Sequence, residues 1–245
     1  MIWIQIIHFE DKEYPEKLRK IKNPPKQLFA IGDINLLKSN IISIIGSRKC
    51  TEKGEDITKK FVKELVMQGI TIGSGLAKGI DTVAHTTTLE YNGKTIAVLG
   101  NGFNYIFPKE NFKLYEEILE NGGLIISEYS PDTKAQSEYF LQRNRIVSGI
   151  AIGVLVIESK LRSGTSVTAK IAKEQGKKVF AIPHDIDDRS GAGTNQLIRK
   201  GGMLVTCTKD IIDEFDFLEY KEISKERSKR LITNKVLEIK FKDQE

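Results

Sequence analysis

Four short stretches carry residues suited to holding phosphates: Gly46-Ser47-Arg48, Gly73 to Asp81 (Gly-Ser-Gly-Leu-Ala-Lys-Gly-Ile-Asp), Phe107-Pro108-Lys109-Glu110-Asn111, and Phe140-Leu141-Gln142-Arg143-Asn144-Arg145. Small residues such as Gly46, Ser47 and Gly75 let backbone N–H groups approach an anion closely. Arg48, Lys78, Lys109, Arg143 and Arg145 supply the positive charge, with Asn111 and Asn144 as polar neighbours. Phe140, Phe107 and Tyr105 offer faces on which unpaired bases stack whatever their identity. Plainer readings exist: Phe140 and Tyr139 fit a helix core, and Arg143 fits a local ion pair. Arg48, beside two small residues where a strand stops, is the hardest to explain as filler. The chemistry of such a set is binding, with no covalent step.

Other chemistries fail on spacing. Gly73-Ser74-Gly75 runs on to Gly79, one residue beyond the third glycine of the dinucleotide fingerprint, which argues against a nicotinamide enzyme. Gly93-Lys94-Thr95 imitates the end of a P-loop, but residue 88 is Thr and a strand follows where a helix is needed. His8, His85 and His184 have no ligand spacing with one another or with Cys50 and Cys207, so neither a metal nor a cofactor is expected. The two cysteines stand outside any CxxC, as expected of reduced thiols in a cytoplasm. No basic, apolar leader opens the chain and no run approaches a membrane span. Lys and Arg exceed Asp and Glu by 38 − 33 = 5, a mild tilt toward polyanions.

The elements that must position these stretches alternate. Ile41–Ile45 is too apolar for an exposed edge and too short for a helix, so it reads as a central parallel strand. Ile57, Phe61, Leu65 and Val66 recur at helical spacing before Gly69, and further strands are expected at Ile70–Ile72, Thr95–Leu99, Leu124–Ser127, Ile152–Ile157, Val179–Ile182 and Met203–Val205. Helices are expected between them, among them Phe112–Glu120 and one near Gln196–Arg199. This predicts an α/β, extended Rossmann-like fold, a mostly parallel sheet flanked by helices whose strand ends gather the four turns into one basic pocket. Residues 1–40 read as a lead-in packed on the core, with a short helix and an extended segment laid against the strand Ile41–Ile45. Residues 41–216 form the core. Residues 217–245 read as a charged extension too short for a winged helix, in which Val236, Ile239 and Phe241 could pin a strand or a partner contact.

Taken in order, these motifs resemble the DNA-processing protein A family, DprA or Smf. The resemblance rests on Gly46-Ser47-Arg48, Ser74 to Asp81, Phe107 to Asn111, Ser127-Glu128-Tyr129, Phe140 with Arg143-Asn144-Arg145, Gly164 through Ala169, and Gly193 to Ile198 before Gly201-Gly202. It also takes in the lead-in from Tyr14-Pro15 to Gly32, and covers about residues 12–215. It implies a non-enzymatic protein that binds single-stranded DNA and helps to load a RecA-type recombinase. Arg48 and Lys109 would be the leading phosphate contacts, and Phe140, Arg143 and Arg145 would line the pocket. It further implies a homodimer through the late sheet, near Leu197, Ile198 and Leu204. Two departures concern loop shape: Pro183-His184 replaces the usual Pro-Gly, and Ser130-Pro131-Asp132 replaces a glycine-bearing turn. The alternative is a small-nucleotide sensor or nucleotide-processing enzyme of the same superfamily. The hydrolytic branch of that group carries a Pro-Gly-Gly-x-Gly-Thr turn and a nearby Glu, whereas here Leu161-Arg162-Ser163 precedes Gly164-Thr165 and the first later Glu is Glu174.

Overall fold

The computed structural model describes residues 3–222. The elements run β1 (Gln5–His8), α1 (Glu16–Arg19), β2 (Gln27–Gly32), a 3₁₀ turn (Ile34–Lys38), β3 (Ile41–Ile45), α2 (Glu52–Met67), β4 (Thr71–Ser74), α3 (Ile80–Glu90) and β5 (Thr95–Leu99). A second 3₁₀ turn (Lys109–Asn111) leads into α4 (Phe112–Glu120), β6 (Leu124–Ser127), α5 (Ser137–Gly149), β7 (Gly153–Val156), α6 (Gly164–Glu174), β8 (Lys178–Ala181), α7 (Ala192–Arg199), β9 (Met203–Leu204) and α8 (Thr208–Ile212).

The nine strands of the described residues share one sheet in the order β1-β2-β6-β5-β4-β3-β7-β8-β9. From β6 to β9 every pairing is parallel. The side-chain period of two sorts each central strand onto two cores. Ile41 and Ile45 of β3 face α5 and α6 through Val147 and Ala169, whereas Ile42 and Ile44 face α2 through Phe61 and Leu65. Toward the β6 side that second layer continues as α3 and α4, where Leu89, Leu114 and Ile118 pack on Ala97 and Leu99. The chain winds outward from β3 to β6, and α5 then carries it across to β7 on β3's other side. That reversal between β3 and β7 is a topological switch point, where open α/β sheets leave a crevice at their carboxyl ends.

The extended segment of the lead-in differs from expectation. β2 pairs antiparallel with β6, Phe29 opposite Ser127, instead of lying on Ile41–Ile45. Both flanks of β3 are occupied, by β4 and β7, so the open edge is that of β6. β1, which the sequence reading left unassigned, pairs with β2 and forms the outermost edge. α7 begins at Ala192, four residues before Gln196, because Gly191 and Gly193 disguise its first turn, where Thr194 Oγ1 donates to Gly191 O at 2.7 Å. Most of the charged extension, including Val236, Ile239 and Phe241, lies outside the described residues. Among the described residues no helix is long and apolar enough to cross a membrane.

Candidate nucleic-acid interface

The crevice at the switch point is a cleft of about 510 Å³. Its lining comes from the turn after β3 (Gly46, Ser47, Arg48), the turn after β4 (Gly75, Ala77), the inner face of α5 (Phe140, Arg143, Asn144) and the passage from β7 into α6 (Lys160, Ser163, Gly164, Thr165).

The first two turns hold each other. Ile80 N donates to Ser47 O at 3.2 Å, and Thr165 Oγ1 donates to Gly46 O at 2.9 Å. Gly79 stands at φ +75°, and a Cβ there would lie 2.2 Å from Ser47 O, so only glycine lets the two turns come this close. The backbone of the Gly46-Ser47-Arg48 turn is thereby fixed from two sides. The Arg48 side chain is exposed and has no hydrogen-bond or carboxylate partner among the described residues.

In the second turn, the Asp81 carboxylate accepts from Gly75 N at 3.1 Å and Ala77 N at 3.3 Å. Those amides are therefore taken by the chain's own anion. The same turn is braced by Asn111, whose Nδ2 donates to Leu76 O at 2.9 Å and Thr82 Oγ1 at 2.9 Å. Asn111 is buried and acts as a brace for the loop. Amides available to an external anion come instead from the first turn of α6, at Gly164 and Thr165, since helix N-termini leave such donors unpaired.

Arg143 is 4% exposed and forms the floor of the cleft. One guanidinium nitrogen donates to Gly75 O at 2.5 Å and also to Val98 O, while Nε has no partner. Burial lowers its pKa to about 10, the Asp81 charge opposes that shift, and Arg48 adds to it. Burial pushes the Asp81 carboxyl up, with Arg143 the main opposing influence. Gly75 belongs here for a steric reason, because a Cβ would meet the Arg143 guanidinium at 2.6 Å. Arg48, Arg143 and Lys160 thus line a cleft in which Asp81 is the single carboxylate among the described residues.

A smaller recess of about 110 Å³ opens beside it, lined by Arg48, Lys78, Phe107 and Phe140. The Phe107 and Phe140 rings lie 5.2 Å apart at 38°. Gly100 makes room for Phe140, since a Cβ there would meet its ring at 2.7 Å. Lys78 reaches Glu110 at 2.5 Å, and both side chains are exposed.

Two of the expected contacts stand apart. Lys109 is exposed on its 3₁₀ turn and lines neither cavity. Arg145, one residue past Asn144, leaves the helix on another side and forks onto Glu128 at 2.9 and 2.6 Å, with its Nε on Asn23 O at 2.9 Å. It staples the lead-in to the exit of β6. Lys160 and the Ser163-Gly164-Thr165 turn were missed as site residues, although that turn repeats the signal of Gly46-Ser47: small residues between a strand and a helix.

The model of the family described as DNA recombination-mediator protein A matches residues 5–216. The chain belongs to that family. It is 42% identical over 212 residues to Protein Smf of Escherichia coli (strain K12), a match covering 86% of this chain and 57% of that protein. An X-ray structure of DNA processing protein A (DprA) from Streptococcus pneumoniae is similar with a TM-score of 0.83 and 40% identity, covering 87% of this chain and 75% of that one. A structure of DNA processing protein A from Helicobacter pylori, whose subject is its single-stranded DNA binding mode, is similar with a TM-score of 0.77 and 31% identity, covering 86% and 94%. Family and fold are therefore shared across nearly all of the described residues.

Proposed function

We propose that this chain is a non-catalytic binder of single-stranded DNA. The observation that carries the reading is the switch-point cleft, where Arg48, without a partner among the described residues, buried Arg143, Lys160 and the α6 amides surround one space beside half-buried Phe140. Arg48 and the first turn of α6 hold one phosphate, Lys160 and Lys78 hold its neighbours, and a splayed base packs on Phe140 and Phe107. Arg143 contributes charge from the floor, with one guanidinium nitrogen held by Gly75 O and Val98 O and its Nε without a partner among the described residues. Lys109 and Arg145 engage a strand only beyond the cleft, Arg145 after releasing Glu128. Duplex binds poorly, since its bases are not available to stack. Family membership and the single-stranded DNA binding named for the Helicobacter pylori relative support this reading.

The hydrolytic alternative needs a carboxylate free to act as base. Asp81 is engaged by two amides, and buried Glu158 accepts from Thr51 N at 3.1 Å and from Thr51 Oγ1 at the start of α2. A mobility-shift titration with labelled poly-dT and with the matching duplex tests the proposal. Retention of the single strand at concentrations that leave duplex free is expected; absence of any retained single strand would overturn it.

Assistance in loading a RecA-type recombinase in the cytoplasm, and a homodimer through Leu197 and Ile198 of α7 and half-exposed Leu204 of the edge strand β9, belong to the same proposal. Faster recombinase filament growth on the bound strand is the expected sign of loading, and an unchanged rate would remove that part.

A further inference from the structure

Lys17, Lys20 and Lys177 gather at the end of the sheet opposite the cleft. Lys17 lies in α1 and Lys20 is its C-cap, while Lys177 sits in the turn between α6 and β8. Lys17 Nζ donates to Ser39 O at 2.6 Å and Lys177 Nζ donates to Gly149 O at 3.1 Å. Ser39 precedes β3, Gly149 closes α5 ahead of β7, and Lys177 precedes β8. The three ammonium groups therefore meet at the amino ends of β3, β7 and β8, neighbours in the sheet, of which β3 and β7 open into the cleft at their carboxyl ends.

Their charge is uncompensated. Among the described residues neither Lys17 nor Lys177 has a carboxylate partner, and Lys20 has only a solvent-exposed contact with Glu16 at 3.7 Å, of a kind that contributes little. Burial pushes the Lys177 ammonium down to about 8, and the charges of Lys17 and Lys20 push it the same way. Burial also pushes Lys17 down. The carbonyl end of α5 accounts for one N–H of Lys177, but an ammonium has three, so two on each buried amine remain for another acceptor. Half-buried cations that repel one another, anchored by carbonyls and lacking a counter-ion, suit an oxyanion with several oxygens.

Helix α6 joins this cluster to the cleft. Gly164 at its start lines the cleft, and Glu174 at its end is three residues from Lys177. Ten rises of about 1.5 Å each separate the two by roughly 15 Å. Exposed Lys170 and Lys173 lie one turn apart along that helix, with Glu174 beside Lys170 at 3.7 Å.

We propose that Lys17, Lys20 and Lys177 form a second phosphate-binding site, which holds the backbone of a single strand that runs along α6 beyond the cleft. The proposal rests on the reading that the cleft binds single-stranded DNA. It concerns length: a strand that fills only the cleft does not reach the cluster, and a longer one does.

The test compares the wild type with the double variant Lys17→Gln/Lys177→Gln on two ligands, the shortest oligo-dT that the wild type retains and a poly-dT of about 30 nucleotides, across a salt series. Glutamine keeps an N–H donor at each position while removing the charge, and a second variant, Lys20→Gln, changes only an exposed side chain. Unchanged affinity for the short ligand is expected, with about tenfold weaker binding of the long one and a log-log salt slope smaller by about 1.4 for the double variant and 0.7 for Lys20→Gln. Equal losses on both lengths, or none on either while the wild type binds both, would overturn the second site and leave the cleft reading standing. Failure of the wild type to bind either ligand would overturn both.

Discussion

Arg48 and Arg145 both stand in the sequence as pocket cations, Arg48 as a leading phosphate contact and Arg145 as part of the lining, and the structure gives them opposite positions. Arg48 projects from a clamped turn with no partner among the described residues, so Arg48→Ala is expected to leave the melting temperature within about a degree while weakening oligo-dT binding about tenfold or more, the range of a lost charge-assisted hydrogen bond. Arg145→Ala leaves half-buried Glu128 without its fork, so about 1–2 kcal/mol of stability, or a few degrees, should go while short-oligonucleotide affinity changes little. Thermal melts and anisotropy titrations of the two variants check this pair, and the reverse pattern would exchange their roles. The difference was not legible because it depends on Glu128 and Asn23, which approach Arg145 only after β2 has paired with β6. The bracing role of Asn111 was hidden in the same way, since its acceptors at Leu76 and Ala77 lie in the turn after β4, 35 and 34 residues earlier in the chain.

Among the elements, the strand-to-helix turns were the most readable part of the chain. Ile41–Ile45 is short, β-branched and followed by Gly-Ser-Arg, and it became the strand beside the switch point. What spacing could not show is that the glycine turn after β4 spends its amides on Asp81, a residue six positions past Gly75 that only the start of α3 brings back. Nor could it show His184 filling the place of the glycine that the resemblance leads one to expect, where its Nε2–H donates to Ile157 O at 2.8 Å, its Nδ1 meets the Asp188 carboxylate at 3.1 Å and its ring packs against Gly191. The contact between the first two turns yields the sharpest element-scale prediction. Gly79→Ala forces a Cβ against Ser47 O from a backbone region that essentially only glycine occupies, so a loss of about 1–3 kcal/mol is expected with weaker DNA binding, because the Arg48 turn must move. Chemical denaturation and the same binding assay measure both effects, and an unperturbed variant would show that the two turns are independent.

At the scale of the whole molecule, alternation of strand and helix was enough to specify a doubly wound sheet, and with it the side of the sheet where the motifs converge. The two edges were less legible. β1 is a four-residue antiparallel strand at the limit of the sheet and β9 has only two residues, so neither carries a long period-2 signal. β9 leaves Leu204 half-exposed on the edge assigned to the proposed dimer. Leu204→Glu should convert a dimer to a monomer in sedimentation velocity without lowering the melting temperature, and a wild type that already sediments as a monomer would remove the dimer from the account.

The central claim is that the switch-point cleft holds a strand through several phosphates. Fluorescence anisotropy of labelled poly-dT across a salt series, with mononucleotide and duplex as competitors, tests it most directly. The account predicts a log-log slope near −0.7 for each phosphate held, about −2 or steeper in total, with mononucleotide and duplex competing weakly. A slope near zero, or displacement of the strand by micromolar mononucleotide, would contradict it and make the cleft a site for a single nucleotide.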